Sequence, residues 1–252
     1  MGRGFDSRLW DEYAPYFDAE EGTVFPVDAL ELRFYAEMRN RFRGDALEIG
    51  AGCGRLAGSL YLPPHRTVAL EPSAGMLGRW RRADASRASR VMALGQEMPF
   101  RDGSFRLVTF PYNGLHCLPG PDERIALLSE AGRLLDRGGR LLLETCPGFS
   151  RRPEDTDAER YDFHDGRLRL RLSETVRRSA GSISFHMRYD SGDRHVSELD
   201  LELALIPPGL LSEELARAGL ETVELWGDYD CSPFDPCGSP RMLTLASRKD
   251  RV

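Results

Sequence analysis

Leu47-Glu48-Ile49-Gly50-Ala51-Gly52-Cys53-Gly54-Arg55-Leu56-Ala57 is the stretch whose reading decides the fold. Ala46–Ile49 is short and apolar enough to be a buried strand. Glycines at 50, 52 and 54 end it and allow a tight backbone turn close to a ligand. Leu56, Ala57 and Leu60 then continue as a helix that stops before Pro63-Pro64. The first N–H groups of that helix face the turn, an arrangement that suits an anionic group.

The same alternation runs outward from this turn. Thr67–Leu70, Arg90–Leu94, Phe105–Phe110 and Leu141–Leu143 read as further strands. Between them, Ser73 is placed to cap a helix carrying Met76, Leu77 and Trp80. Pro121–Leu135 is an amphipathic helix with Ile125, Leu128, Ala131 and Leu134 on one face, broken at Gly138-Gly139. Short apolar strands joined by helices predict a parallel sheet covered on both faces. Such sheets bind ligands at the carboxyl ends of their strands, where strand order reverses.

Upstream, residues 1–45 predict a helical lid, with Ala29, Leu30, Phe34, Tyr35 and Met38 at helical spacing after Phe25-Pro26. Residues 46–150 form the core. Beyond Pro147 the texture changes. A polar loop at 150–160 leads into strict alternation over Gly166–Leu172, Ser182–Tyr189 and Leu199–Leu205, which predicts an antiparallel cap over 151–208 with one buried face. Its outer face carries Arg167, Arg169 and Arg171 on one strand and Asp200 and Glu202 on another. These suit cross-strand charge pairing, or alternatively an anion-binding patch. Residues 209–252 supply a last helix, capped by Ser212, and two closing strands at Leu220–Trp226 and Met242–Ser247.

Composition narrows the function classes. The chain has 252 residues, 41% hydrophobic and 29% charged, as expected of a globular protein able to bury a core. Forty acidic against 34 basic residues give a net charge of −6, which argues against nucleic acid as the main partner. No apolar run approaches the ~18 residues that span a membrane, and Met1–Asp6 has neither a signal-peptide core nor a myristoylation signal. Five scattered cysteines fit reduced thiols in a cytoplasm. Cys231 and Cys237 do not have zinc spacing, so no metal is expected. A monomer or homodimer acting on a small molecule, without nucleic acid or membrane, is the expectation.

Two cofactor readings compete at the glycine turn. Gly52-Cys-Gly54-Arg-Leu-Ala57 fits the dinucleotide pattern G-x-G-x-x-A, and Glu71 ends the second strand where it can accept from ribose hydroxyls. A nicotinamide-dependent oxidoreductase would follow, but it needs a Tyr-x-x-x-Lys or comparable dyad, and the only lysine is Lys249. Glu48, two residues ahead of Gly50, points elsewhere. Glu48-Ile-Gly50-Ala-Gly52-Cys-Gly54 resembles the first motif of the class I S-adenosylmethionine-dependent methyltransferases, acid-x-G-x-G-x-G. Leu70-Glu71-Pro72-Ser73-Ala-Gly-Met76-Leu77 resembles the second. Gln96-Glu97-Met98-Pro99-Phe100-Arg-Asp-Gly-Ser-Phe105-Arg106 and Leu134-Leu135-Asp136-Arg137-Gly138-Gly139 resemble the stretches leading into the fourth and fifth strands. Leu94 stands where the family often has an adenine-contacting acid, and Arg106 and Asp136 replace its usual Asp and Pro.

The resemblance implies a Rossmann-like α/β fold: a mostly parallel seven-stranded sheet with helices on both faces, plus the antiparallel cap inserted after the fifth strand. It implies S-adenosylmethionine as cofactor and, on the pattern of amine and amino-sugar enzymes, methyl transfer to an amine of a small molecule. O-methylation, or cofactor binding without catalysis, are the alternatives. Glu48 would lie near the methionyl ammonium, with Gly50 and Gly52 permitting close backbone approach. Glu71 would take the ribose, and Gln96, backbone near Glu97, Pro72 and Met76 would surround the adenine. Asn113 joins this set from the loop after the fourth strand. Tyr13, in Trp10-Asp-Glu-Tyr-Ala-Pro-Tyr-Phe-Asp18, resembles the segment that closes over the cofactor, or else packs an amphipathic helix on the sheet.

His116, in Phe110-Pro-Tyr-Asn-Gly-Leu-His116, is the candidate catalytic base. It follows the fourth strand at the ligand edge, and its ordinary pKa near 6.5 suits taking a proton from an amine. The alternative is a structural histidine in a short helical loop. His186 alternates with apolar residues and is expected to face solvent. The acidic, proline-bearing loop Gly227–Pro236 is placed either at a substrate mouth or in solvent.

Overall fold

A computed structural model describes residues 5–21, 23–24, 28–80, 87–150 and 159–249. The first helices are α1, Ser7–Glu20, and α2, Ala29–Arg41. The expected opening of α2 at Phe25-Pro26 lies outside the described residues. The core then alternates β1 (Ala46–Ile49), α3 (Ala57–Leu60), β2 (Thr67–Leu70), α4 (Ala74–Leu77), β3 (Ser89–Val91) and β4 (Phe105–Phe110). It continues through α5 (Pro121–Leu134) and β5 (Leu135–Thr145). The cap is β6 (Glu159–His164), β7 (Arg169–Arg178), β8 (Ser182–Ser191) and β9 (Arg194–Ala204). The chain returns to the core as α6 (Pro208–Arg217), β10 (Leu220–Trp226) and β11 (Met242–Arg248).

The main sheet has the order β10-β11-β5-β4-β1-β2-β3. β1 pairs parallel with β2 and β4, and β11 alone runs against its neighbours β5 and β10. Every residue of β1 and β2 is buried, as a sheet covered on both faces requires. Strand order reverses between β1 and β4, so the crevice at their carboxyl ends is the natural ligand site.

The cap is a separate four-stranded antiparallel meander, one strand more than the three alternating runs suggest. Phe163, Leu170, Leu172, Val176, Ile183, Phe185, Met187, Tyr189, Leu199 and Leu203 pack together on its inner face. Outside, Arg169 and Arg171 lie 3.6 and 3.0 Å from Asp162 on β6, and His186 lies 2.8 Å from Asp200. The outer arginines of β7 therefore follow the charge-pairing reading, with the partner on β6 rather than on β9.

α1 ties the two sheets together. Asp11 accepts from the Ser73 hydroxyl at 2.6 Å and from the Gly75 N–H at 2.8 Å, fixing α1 on α4. At its other end Glu20, fully buried, accepts from Tyr13 at 2.8 Å and from Tyr189 of β8 at 2.6 Å.

Some boundaries differ from the sequence expectation for local reasons. β3 ends at Val91, and Leu94 sits in the turn beyond it. β5 starts at Leu135 and runs through Gly138-Gly139, where a break was expected. Side chains there would meet the Arg106 guanidinium at 2.7 Å and the Phe105 carbonyl at 3.0 Å, so glycine permits the close approach. α6 begins a turn earlier than expected, with Pro208 at its first position, and Ser212 lies inside it instead of capping it. Ser73 does cap α4, accepting from the Met76 N–H at 3.0 Å. The two departures from the family pattern meet each other: Arg106 Nε is 3.3 Å from Asp136 Oδ2.

Candidate functional site

A cavity of about 400 Å³ opens at the carboxyl ends of β1 and β4, roofed by α1 and the inner face of the cap. Its floor is the glycine turn. Gly50, Gly52 and Gly54 have φ of +63°, +53° and +87°, values that only glycine adopts without strain. A Cβ on Gly54 would lie 2.6 Å from the Trp80 ring, and one on Gly50 would lie 3.0 Å from Phe110.

Glu71 locks this turn. Its two oxygens accept the Gly52 N–H at 2.9 Å and the Ser73 N–H at 2.8 Å. Burial raises its pKa, and those two N–H groups oppose the shift. A carboxylate has about four acceptor sites, so the oxygens facing the cavity keep capacity for a diol.

Glu48 presents the opposite situation. It is 2% exposed and lines the cavity, yet its Oε2 has no hydrogen-bond partner. Burial pushes its carboxyl up to about 8; nearby Arg55 opposes the shift, while Glu71 and Glu31 add to it. Asn113 Oδ1 is also buried, without a partner, on a residue that lines the cavity. Unanswered buried acceptors are costly, and these two suit a ligand that brings a cationic N–H donor.

The loop after β4 is held in a strained shape. Tyr112 and Asn113 have φ of +49° and +61°, uncommon for residues with side chains and concentrated at functional sites. The Tyr112 N–H donates to Glu144 at 3.1 Å. Glu144, at the end of β5, also accepts from Tyr35 at 3.1 Å and Tyr229 at 2.9 Å. The Arg55 guanidinium lies 4.4 Å from the centre of the Tyr112 ring and pairs with Glu31.

The residues expected at the cofactor come together. Tyr13, Glu48, Gly50, Gly52, Glu71, Pro72, Met76, Gln96 and Asn113 all line the one cavity. Glu97 does not: its side chain is exposed and its N–H donates to the Leu94 carbonyl at 3.2 Å. Leu94 and Gly95 line the cavity beside Gln96.

His116 is placed as the alternative reading, a structural histidine, would have it. It is fully buried, and both ring nitrogens are engaged. The Cys146 N–H donates to Nε2 at 3.1 Å, which leaves Nδ1 as the protonated nitrogen, donating to the Ala204 carbonyl at 2.6 Å. Burial pushes its pKa down to about 4; the bond to Ala204 opposes this and Arg124 reinforces it. Neutral, with its lone pair already used, the ring has no site for a substrate proton. The acidic loop after β10 also lies apart from the cavity walls: Asp228 pairs with Arg241, and Tyr229 is buried against Phe34 and Tyr35.

Other wall residues were not anticipated from the sequence. Phe149, Phe185, Met187, Leu201 and Leu203 give the cap side an apolar surface, and Glu174 of β7 joins them. Glu174 sits at the inward parity of Leu170, Leu172 and Val176, and an acid at an inward position was the legible signal. Arg55 directly follows the third glycine, and Tyr112 directly precedes the strained asparagine. Among the described residues no cluster of three potential ligands could hold a metal, and no helix is long and apolar enough to cross a membrane.

Comparisons with known proteins agree with this geometry. Residues 46–139 match the family model described as "Methyltransferase domain". No curated protein matches the chain. Among solved structures, the CcbJ methyltransferase from Streptomyces caelestis superposes with a TM-score of 0.81 at 22% identity, over 97% of this chain and 99% of that one. The sugar N-methyltransferase KedS8 from Streptoalloteichus gives 0.68 at 17% identity, over 99% and 95%. CalS10, an amino pentose methyltransferase from Micromonospora echinaspora solved with S-adenosylmethionine bound, gives 0.67 at 18%, over 87% and 90%. These likenesses share the fold, and residues 46–139, which match the methyltransferase-domain model, include the strands, glycine turn and Glu71 that build the cavity floor.

Proposed function

We propose that this protein transfers a methyl group from S-adenosylmethionine to an amine nitrogen of a small molecule held between the sheet edge and the cap. The supporting observation is one continuous cavity that joins the glycine turn to the apolar face of the antiparallel sheet. Neighbours of the same fold include sugar N- and amino pentose methyltransferases, which favours nitrogen over oxygen.

The residues fit the cofactor. Glu48 and Asn113 offer unanswered acceptors for the methionyl ammonium. Glu71 has lone pairs left for the ribose diol, and the bare backbone at Gly50 and Gly52 admits close approach. Pro72, Met76, Leu94, Gly95 and Gln96 form the remaining wall, where the adenine would rest on packing and on Gln96. The bound cofactor supplies a methyl carbon already activated by its sulfonium.

The protein then has to align the acceptor and exclude water. Trp10, Tyr13 and Phe17 on α1 close one side, and the cap closes the other. His116 serves as a frame, holding the loop after β4 to β5 and β9 through its two hydrogen bonds. The reading includes action in the cytoplasm, with five cysteines outside any disulfide as support. Incubation with methyl-labelled cofactor and a panel of amines, phenols and alcohols, followed by mass spectrometry, tests it. Label on amine nitrogen is expected; label on oxygen alone, or on none of the panel, overturns it.

A further inference from the structure

Glu144, near the end of β5, joins three distant parts of the chain on one carboxylate. It is 3% exposed and stands behind the cavity wall, not in it. Its Oε2 accepts from the Tyr35 hydroxyl of α2 at 3.1 Å and from the Tyr112 N–H at 3.1 Å. Its Oε1 accepts from the Tyr229 hydroxyl at 2.9 Å and faces Arg241 Nε at 3.9 Å. Sheet register explains the reach to Tyr112. Leu143 pairs with Phe110 of β4, which sets Glu144 beside the chain as it leaves that strand.

The chain leaves β4 in a shape that its own residues do not favour. Tyr112 and Asn113 are both left-handed, with φ of +49° and +61°. Asparagine enters that region more readily than most residues, and a bulky tyrosine does not. The strain therefore sits at Tyr112, the residue whose N–H Glu144 holds. The loop also hugs the wall: a Cβ on Gly114 would lie 2.1 Å from the Phe110 ring. Asn113 precedes the short 3₁₀ turn Gly114–Cys117, where an asparagine side chain could cap, yet it makes no capping bond. Its Oδ1 is instead buried without a partner, on a residue that lines the cavity. A buried acceptor left unanswered is costly, so an amide withheld from its local bond points to a ligand.

Resting on the placement of Asn113 at the methionyl ammonium, whichever acceptor atom is methylated, we infer that Glu144 is a positioning residue for the cofactor. By holding the Tyr112 N–H it keeps the left-handed turn that presents Asn113 Oδ1 to the cavity. Without that bond Tyr112 can return to negative φ, and rotation there carries Asn113 off the wall. The bond needs an oxygen within reach of the N–H, so the length of the side chain matters more than its charge.

Calorimetric titration of the intact protein and its variants with S-adenosylmethionine tests the role. Asn113→Ala and Glu144→Ala should each weaken binding about tenfold or more, the scale of one lost hydrogen bond to a charged group. The double variant should bind no more weakly than the worse single one, because both remove the same contact. Glu144→Gln, equal in length and uncharged, keeps an oxygen for the Tyr112 N–H and should bind within about threefold of the wild type. Glu144→Asp keeps the charge, draws the oxygens back by one methylene and should bind as weakly as Glu144→Ala. That pair of conservative variants decides the matter if Glu144→Ala fails to fold. Tyr229→Phe takes a donor from the same carboxylate but leaves the bond to Tyr112, so it should lower the melting temperature and leave cofactor affinity unchanged. Wild-type affinity in Glu144→Ala or Glu144→Asp, single effects that multiply in the double variant, Glu144→Gln as weak as Glu144→Asp, or Tyr229→Phe as weak as Glu144→Ala overturns the role of Glu144. Wild-type affinity in Asn113→Ala defeats instead the placement of Asn113 at the cofactor.

Discussion

His116 donates from Nδ1 to the carbonyl oxygen of Ala204, 2.6 Å away, and thereby joins the loop after β4 to the last residue of the cap strand β9. The Cys146 N–H on Nε2 fixes this tautomer. One neutral imidazole thus closes the joint between core strands and cap. Removing it leaves a part-buried N–H and a buried carbonyl without their partner. His116→Ala should cost about 2–6 kcal/mol, the sum expected for two such groups. Chemical denaturation of both proteins measures it, and a loss below about 1 kcal/mol would show that the joint does not depend on this ring.

The same burial makes stability depend on acid. His116 titrates at about 4 when folded, against 6.5 ordinarily. Between those values the unfolded chain binds more protons than the folded one, so stability rises with pH through this window. The contribution is complete above pH 6.5 and is lost as pH falls toward 4. The difference is about 2.5 pKa units, or about 3 kcal/mol. Denaturation midpoints followed from pH 7 to 4 should fall more steeply in the wild type than in His116→Asn. Parallel curves would contradict the assignment. For the same reason kcat should show no inflection attributable to His116 between pH 6 and 9.

Much of the cofactor end was legible because its chemistry is written locally. Three glycines in five residues, an acid two positions before them and an acid at the end of the next strand are local signals, and the chain places them on one cavity wall. Period-two alternation likewise announced the cap. The role of His116 was not legible, because it depends on Cys146 and Ala204, 30 and 88 residues away. A histidine near a ligand edge looks the same in sequence whether its nitrogens face substrate or backbone. Glu174 escaped for a related reason: alternation says that it faces inward, but only the packing of α1 and the sheet edge makes inward mean the cavity.

Glu48 predicts a proton signature of cofactor binding. Its carboxyl titrates at about 8 in the unliganded protein, so it is mostly protonated at pH 7. Pairing with an ammonium favours the carboxylate, and binding at pH 7 should release close to one proton. Calorimetry in buffers of different ionisation enthalpy reads this directly. Glu48→Gln should lose the proton release and bind about 1.5–3 kcal/mol more weakly, the scale of a hydrogen bond to a charged group. A variant that retains the same buffer dependence would place the titrating group elsewhere.

Glu71→Ala should act on both ligand and protein. It removes an acceptor for the diol and frees the N–H groups of Gly52 and Ser73 that now hold the turn. Cofactor affinity should fall by about 1.5–3 kcal/mol, with faster amide exchange over residues 50–54. Unchanged affinity would remove Glu71 from the cofactor site.

The closure of α1 over the cavity rests on Glu20, which takes the hydroxyls of both Tyr13 and Tyr189. Tyr16 reinforces the contact by stacking on Tyr189 with ring centres 4.0 Å apart. Replacing both Tyr13 and Tyr189 by Phe keeps the rings but takes two donors from a buried carboxylate. Each lost bond to a charged group is worth about 1.5–3 kcal/mol, and the pair shares one acceptor residue, so the double variant should depart from additivity. The loss should concentrate in α1, because the core helices and strands do not use this contact. Amide exchange over residues 7–20 should accelerate while β1, β4 and β5 stay protected, and cofactor affinity should fall about tenfold as the roof over the glycine turn loosens. If α1 exchanges as slowly in the double variant as in the wild type, its attachment lies instead in Asp11 and its bonds to Ser73 and Gly75. Asp11→Ala, measured in parallel, would then show the larger effect.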